Sequence, residues 1–287
     1  IIYAAMFMIL LSFAFATPKV GFDEPTPEDG FVTDNKSVQM NVSITASDLS
    51  ELTWQWDGHN TTLYDDSLVL MMNFDNYTKL NDTSMYGNDV VNYGATWGPN
   101  GKYGGAYEFD GAGSYILSNN RLGLSNGFTF ASWVRVYGVG DDSWNRFLSY
   151  DGLVNGESFY QISLVWDEDD NKRGLSFGNN AWFQGDIPTG KWIFLVGVWD
   201  GEGIYYYENS ELKATNSWSS FSEGSGALSI GARSDGGDDM KGRIGSVLIY
   251  NRSLSEQEVK QLYMSNLRKY DTDKWQLYVN ESNLTNG

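Results

Sequence analysis

The chain has 287 residues, 41% hydrophobic and 15% aromatic, enough to bury a sizeable core in one large β-domain or two smaller ones. A formal charge of −18 repels phosphate backbones and anionic lipid, which excludes nucleic acid and membrane-surface partners. With no cysteine and a single histidine, a disulfide framework, a thiolate zinc site, a cysteine nucleophile and any two-histidine mechanism are excluded as well.

In chain order, Ile1–Ala16 is an apolar run, with Ser12 as its one hydroxyl-bearing aliphatic residue, ending in Ala14-Phe15-Ala16. It falls short of the roughly 20 residues of a membrane span. Its length and small-x-small ending suit the h-region of a signal peptide cleaved after Ala16. The alternative is an uncleaved N-terminal anchor, so membrane contact is expected through this segment alone. Either way the remainder faces the cell exterior, as a secreted or cell-surface protein. Asn35, Asn41, Asn60, Asn76, Asn81, Asn251, Asn280 and Asn283 stand in Asn-x-Ser/Thr, as acceptors for glycans in a glycosylating compartment.

From Thr17 to Ser67 the pattern is that of a short β-module. Pro18, Pro25 and Pro27 make an extended entry, then Val38–Ile44 and Leu52–Trp56 alternate with period two, the second closed by the turn Asp57-Gly58. His59 is expected in that turn, solvated. Two or three strands cannot bury a core alone, so they must pack on something else. Lys274–Val279, near the other end, is a further alternating strand.

The middle of the chain is a series of strand runs parted by Gly, Asn and Asp clusters. They are Ser67–Phe74, Phe128–Val136, Phe159–Trp166, Gly174–Phe177, Trp192–Trp199, Ile204–Glu208, Ala227–Ile230 and Gly242–Tyr250. Such spacing predicts an all-β antiparallel sandwich. One helix is signalled: Ser255-Glu256-Gln257-Glu258 is a capping box, and Val259, Leu262 and Tyr263 follow as one apolar face against the sandwich.

Two stretches carry a resemblance. MYGNDVVNYGATWGPNGKYGGAYEFDGAGSYI (85–116), closing on Phe109-Asp110-Gly111, resembles the opening of the laminin-G-like jelly roll of the concanavalin A-like lectin and glucanase superfamily. IGARSDGGDDMKGRIGSVLIYNRSLSEQEVKQLY (230–263) is similar to its closing half. Between them, Lys191–Gly201 and Tyr205–Asn209 resemble the family's central strand and following turn, with Ser210 in place of the turn glycine. The resemblance implies an antiparallel jelly-roll β-sandwich over 68–266, with one short C-terminal helix. The flanks 17–67 and 267–287 resemble an immunoglobulin-like sandwich into which the jelly roll is inserted. Similar arrangements occur in prokaryotic surface proteins, archaeal ones among them.

The superfamily contains glucanases, which need paired carboxyls about 5 to 5.5 Å apart when retaining. Their Glu-x-Asp-x-x-Glu motif is absent, and the acidic run Asp167-Glu168-Asp169-Asp170-Asn171 is a solvated hairpin tip, so no catalysis is expected. Its Asp-x-Asp-x-Asn spacing imitates an EF-hand opening but lacks the later Gly and Glu. The resemblance also implies a Ca²⁺ at the sandwich edge. Its ligands would be Asn73, Asp75 and Asp110, with Asp238 compensating for Gly245, which stands where the family carries Asp. Trp133, Trp192 and Trp199 belong to strand patterns and are expected in the core. Trp144, Trp182 and Trp218 are expected in polar loops, where aromatics flanked by Asn and Asp suit a glycan or peptide contact. The functional expectation is a non-catalytic module binding an extracellular glycan or surface protein, for adhesion. The alternatives are an accessory module of a polysaccharide-degrading enzyme and a surface spacer without ligand.

Overall fold

The strands foreseen from the alternating runs form, together with others, and stack in three layers. The computed structural model describes residues 17–282 apart from 76–79, 119, 142, 155–156, 178–179, 222 and 224–225. The N-terminal flank supplies β1 (Lys19–Asp23), β2 (Ser37–Thr45) and a hairpin of β3 (Leu52–Trp56) with β4 (His59–Tyr64). Next come β5 (Leu68–Asn73), β6 (Val91–Tyr93), β7 (Thr96–Gly98), β8 (Ala106–Asp110), β9 (Tyr115–Ser118), β10 (Phe128–Val139), β11 (Trp144–Val154) and β12 (Glu157–Asp167). They are followed by β13 (Lys172–Ser176), β14 (Ala181–Gln184), β15 (Trp192–Trp199), β16 (Gly203–Glu208), β17 (Glu211–Ser217), β18 (Ala227–Ile230) and β19 (Met240–Tyr250). Helix α1 (Glu256–Met264) leads into β20 (Ser265–Lys269) and β21 (Lys274–Ser282).

Two antiparallel sheets make the sandwich. One has the order β14-β13-β12-β11-β18-β9-β6; the other runs β17-β16-β15-β10-β19-β8-β7, with β5 joined to β19 beside β8. Their facing sides enclose the main core, which includes Phe128, Phe130, Tyr150, Ile162, Leu164, Leu195, Ile204 and Ile249. Asn216 Nδ2 donates to the Asn180 carbonyl oxygen (3.0 Å), tying the β17 edge of one sheet to the β14 edge of the other.

The flanks form the third layer. β2 pairs with β21 from Ser37↔Ser282 to Thr45↔Lys274, so strands from opposite ends of the chain share one sheet of order β1-β2-β21-β20. Its apolar side, with Met40, Val42, Ile44, Trp275, Leu277 and Val279, packs on Ala131, Trp133, Phe194, Val196 and Val198 of the eight-stranded sheet. That sheet is therefore covered on both faces. This explains why β5 is buried along almost its whole length and β15 reads as a continuous apolar run, as buried sheets do.

Helix α1 begins as its capping box requires: Glu258 N donates to Ser255 Oγ (3.3 Å) and Ser255 N to Glu258 Oε2 (2.8 Å). Val259 and Leu262 are buried, while Tyr263 stacks on Trp133 at 5.5 Å and 25°. Gln261, a polar residue on that face, donates to the buried Glu281 (2.8 Å), which also accepts from Trp54 Nε1 (3.0 Å). His59 is exposed but opens β4 rather than filling the turn. Among the described residues, no helix is long and apolar enough to cross a membrane. The run Ile1–Ala16 lies outside the described residues, as do Asn76 and Asn283. Asn35, Asn60 and Asn81 are exposed, and Asn41, Asn251 and Asn280 are half-buried.

Candidate functional site

The seven-stranded sheet turns one face to the core, and among the described residues no helix or sheet packs on the other. Strand pleating fixes what that open face carries. Ile162, Leu164 and Trp166 of β12 point into the core, so Val165 and Asp167 point out. Register then carries the outward set across the sheet. Trp144 lies opposite Asp167, which lies opposite Lys172, which lies opposite Gln184. One row over, Arg146 lies opposite Val165, then Gly174, then Trp182.

Trp144 and Trp182, 38 positions apart in sequence, thus reach toward one another over the floor of Val165 and Gly174. Their rings meet edge to face, centroids 6.1 Å apart at 74°, and both are half-buried. Cations flank them: the Arg146 guanidinium lies 5.5 Å from the Trp144 ring centre and Lys172 Nζ 5.2 Å from that of Trp182. Arg146 Nε donates to Asp238 Oδ2 (2.8 Å) and Nη1 to Ser163 Oγ (2.7 Å). Lys172 Nζ bonds Asp170 and lies 3.2 Å from Asp167 Oδ2; the Asp170 carboxylate, then that of Asp167, holds its ammonium above the usual lysine range. The Gln184 amide donates to the carbonyls of Asp170 (2.8 Å) and Asn171 (3.0 Å). Planar apolar surface beside fixed donors and acceptors is what a sugar ring, with C–H faces and hydroxyl edges, requires.

Two expectations are corrected here. Trp144 and Trp182 sit on strands, not loops. Asp167, 2% exposed, is not a solvated tip residue: pleating places it beneath Lys172 on the open face. Trp218 lies outside the β11-β12-β13-β14 register that brings the other two together. It follows edge strand β17 and packs against the main core, its amide donating to Glu202 O (2.8 Å) and its carbonyl accepting from Trp199 Nε1 (2.7 Å). Trp218→Ala is accordingly expected to cost roughly 2–3 kcal/mol in urea unfolding and to leave ligand affinity alone. An affinity loss at unchanged stability would return it to the binding face.

The residues expected to hold Ca²⁺ are dispersed. Asn73 pairs with Ser246 and Asp110 with Lys241, partners five residues apart on β19, or about 16 Å at the rise of a strand. Asn73 donates to the Leu267 carbonyl, and Asp75 lies 3.8 Å from Arg268, its carboxyl pushed up by burial. Asp110 accepts from Ser114 Oγ (2.7 Å), which holds its carboxyl below the usual range. Asp238 is engaged by Arg146 and, at 3.7 Å, by Arg233. Among the described residues no three acidic or histidine side chains gather as a metal-ligand set. No motif in the sequence marked Arg146, Asp167, Lys172 and Gln184 as members of this face. Continuing the period of Ser163-Leu164-Val165-Trp166 by one residue would have put Asp167 on the outer face.

Several solved structures share the fold. The receptor binding domain of botulinum neurotoxin D is 18% identical with a TM-score of 0.52, over 69% of this chain and 52% of that one. The botulinum neurotoxin serotype G binding domain is 16% identical with a TM-score of 0.53, over 68% and 50%. The binding domain of botulinum neurotoxin DC, in complex with SialylT, is also 16% identical at 0.53, over 69% and 51%. The chain spans about half the length of these structures. No curated protein matches it. A protein-family model described as the concanavalin A-like lectin/glucanases superfamily matches residues 109–260. That region takes in more than half of the chain, with the central strands of both sheets and most of helix α1, and the chain belongs to this superfamily.

Proposed function

We propose that the chain is a non-catalytic, extracellular glycan-binding module whose ligand docks on the open face of the seven-stranded sheet. The observation that carries this is the meeting of Trp144 and Trp182 at 6.1 Å on a sandwich face against which, among the described residues, no helix or sheet packs. Half-buried indoles braced by cations offer a rigid platform at little entropic cost. The carboxylates alongside are committed to ion pairs, Asp167 with Lys172 and Asp238 with Arg146, so they orient hydroxyls rather than shuttle protons. A similarly folded binding domain solved with SialylT lends support.

A glycan array followed by calorimetry on its strongest binders tests the reading. Trp144→Ala and Trp182→Ala should each weaken binding about tenfold or more, as loss of a central aromatic contact does, with the melting temperature nearly unchanged. Silence of the wild-type protein in both assays would overturn glycan binding in favour of a structural spacer.

A further inference from the structure

The row that holds Trp182 does not end at Arg146. Phe147, the next residue, accepts a hydrogen bond at its carbonyl from the Gly231 amide (3.0 Å), directly after β18. Ile230 pairs with Ile116, so Tyr115 continues the row on β9, and Tyr115 pairs with Tyr93 on β6. Ile116 points into the core, which turns Tyr115 outward to the same face as the tryptophans. There Tyr93 and Tyr115 stack, centroids 4.6 Å apart and planes 11° from parallel, and Tyr93 leaves 44% of its surface exposed. From β9 to β14 is five strand spacings, or about 24 Å.

Between the two aromatic platforms runs a chain of ion pairs: Arg146 to Asp238 (2.8 Å), Asp238 to Arg233 (3.7 Å), and Arg233 to Asp235, whose side chain is 61% exposed. Gly236 of the same loop lies against the Tyr115 ring. Each guanidinium is matched by a carboxylate, so the row offers no surplus cation. With a chain charge of −18 it disfavours a uronate or sulfated polymer. We propose that this face takes a neutral linear oligosaccharide long enough to lie on both platforms, Tyr93–Tyr115 forming a second subsite beyond Trp144–Trp182. The proposal rests on the glycan-binding reading above and specifies its ligand.

The test is calorimetry with neutral linear oligosaccharides of the gluco-, xylo- and arabino-series, from disaccharide to octasaccharide, with oligouronates alongside. Affinity for one neutral series should rise with length until both platforms are reached. Tyr93→Ala, at an exposed position, should cancel that rise, about tenfold, and leave the shortest binders unaffected. Trp182→Ala should weaken every length. A Tyr93→Ala variant that matches wild type at every length overturns the second subsite but leaves the first reading intact. Tighter binding of oligouronates overturns neutrality. A Trp182→Ala variant without effect at any length removes the reading on which the proposal rests.

Discussion

Replacing Asp82 by alanine is expected to destabilise the protein by roughly 4 kcal/mol, although this residue touches neither proposed platform. Its carboxylate, 6% exposed, accepts five hydrogen bonds: Met71 N and Ser84 N at Oδ1 (both 2.8 Å), and Ser84 Oγ (2.8 Å), Asn88 N (2.8 Å) and Asn88 Nδ2 (2.7 Å) at Oδ2. Met71 belongs to the fully covered part of β5, so water cannot replace the lost acceptor there. Asn88 in turn donates to Val69 O (2.8 Å), a second point on β5, and accepts from Asn120 (3.0 Å), which spreads the damage to one more segment. Asp82→Asn should recover only part of the loss, because its amide nitrogen must face other N–H groups. Urea unfolding gives the values; a cost under about 1 kcal/mol for alanine would mean that the network re-forms without its hub.

The second large effect is expected at Arg173 and Glu208, which link β13 of one sheet to β16 of the other inside the sandwich. Arg173 is 5% and Glu208 7% exposed, and the pair is bidentate, Nε to Oε1 and Nη2 to Oε2 (3.0 Å). Tyr206 OH donates to the same carboxylate (2.9 Å); burial and then the Glu208 charge raise this phenol well above its ordinary range. Arg173→Leu alone leaves a desolvated carboxylate and should cost about 3–5 kcal/mol. Arg173→Leu with Glu208→Leu removes both charges from the apolar interior and should regain roughly half of that loss or more. The remainder reflects the carbonyls of Gly185 and Asp186, which lose their Arg173 donor. If the double variant is no more stable than Arg173→Leu, the stranded charge is not the source of the cost.

Legibility followed the location of each residue's partners. Trp192–Trp199 is read from its apolar run and forms β15 over the same residues, and the capping box at Ser255 opens α1. Both depend on groups within a few residues. β11 was hidden because its first turnings look like loop: Asn145 is fully buried yet polar, accepting from Gly140 N (3.2 Å), and Arg146 is 5% exposed yet charged, satisfied by Asp238 far along the chain. Edge strand β14 is only four residues long and edge strand β17 is largely polar, so no alternation marks either. Trp144 and Trp182 were visible as candidate binding residues, but their meeting depends on the β11-β12-β13-β14 register, which composition does not encode. The family motif likewise ordered Asn73, Asp75 and Asp110 along the chain without revealing that β5 and β8 occupy different lengths of β19.

The pairing of β2 with β21 has a mechanical consequence. Lys19 lies beside Thr45, at the end of the small sheet where Lys274 begins β21, whereas Ser282 leaves from the opposite end, beside Ser37. Tension drawn between Lys19 and Ser282 would run through β1, β2 and β21 and load their ladders in shear, many bonds at once. The residues from Ala46 to Asp273 hang from this clasp outside the line of pull, so both aromatic platforms could keep their shape while the tether is stretched.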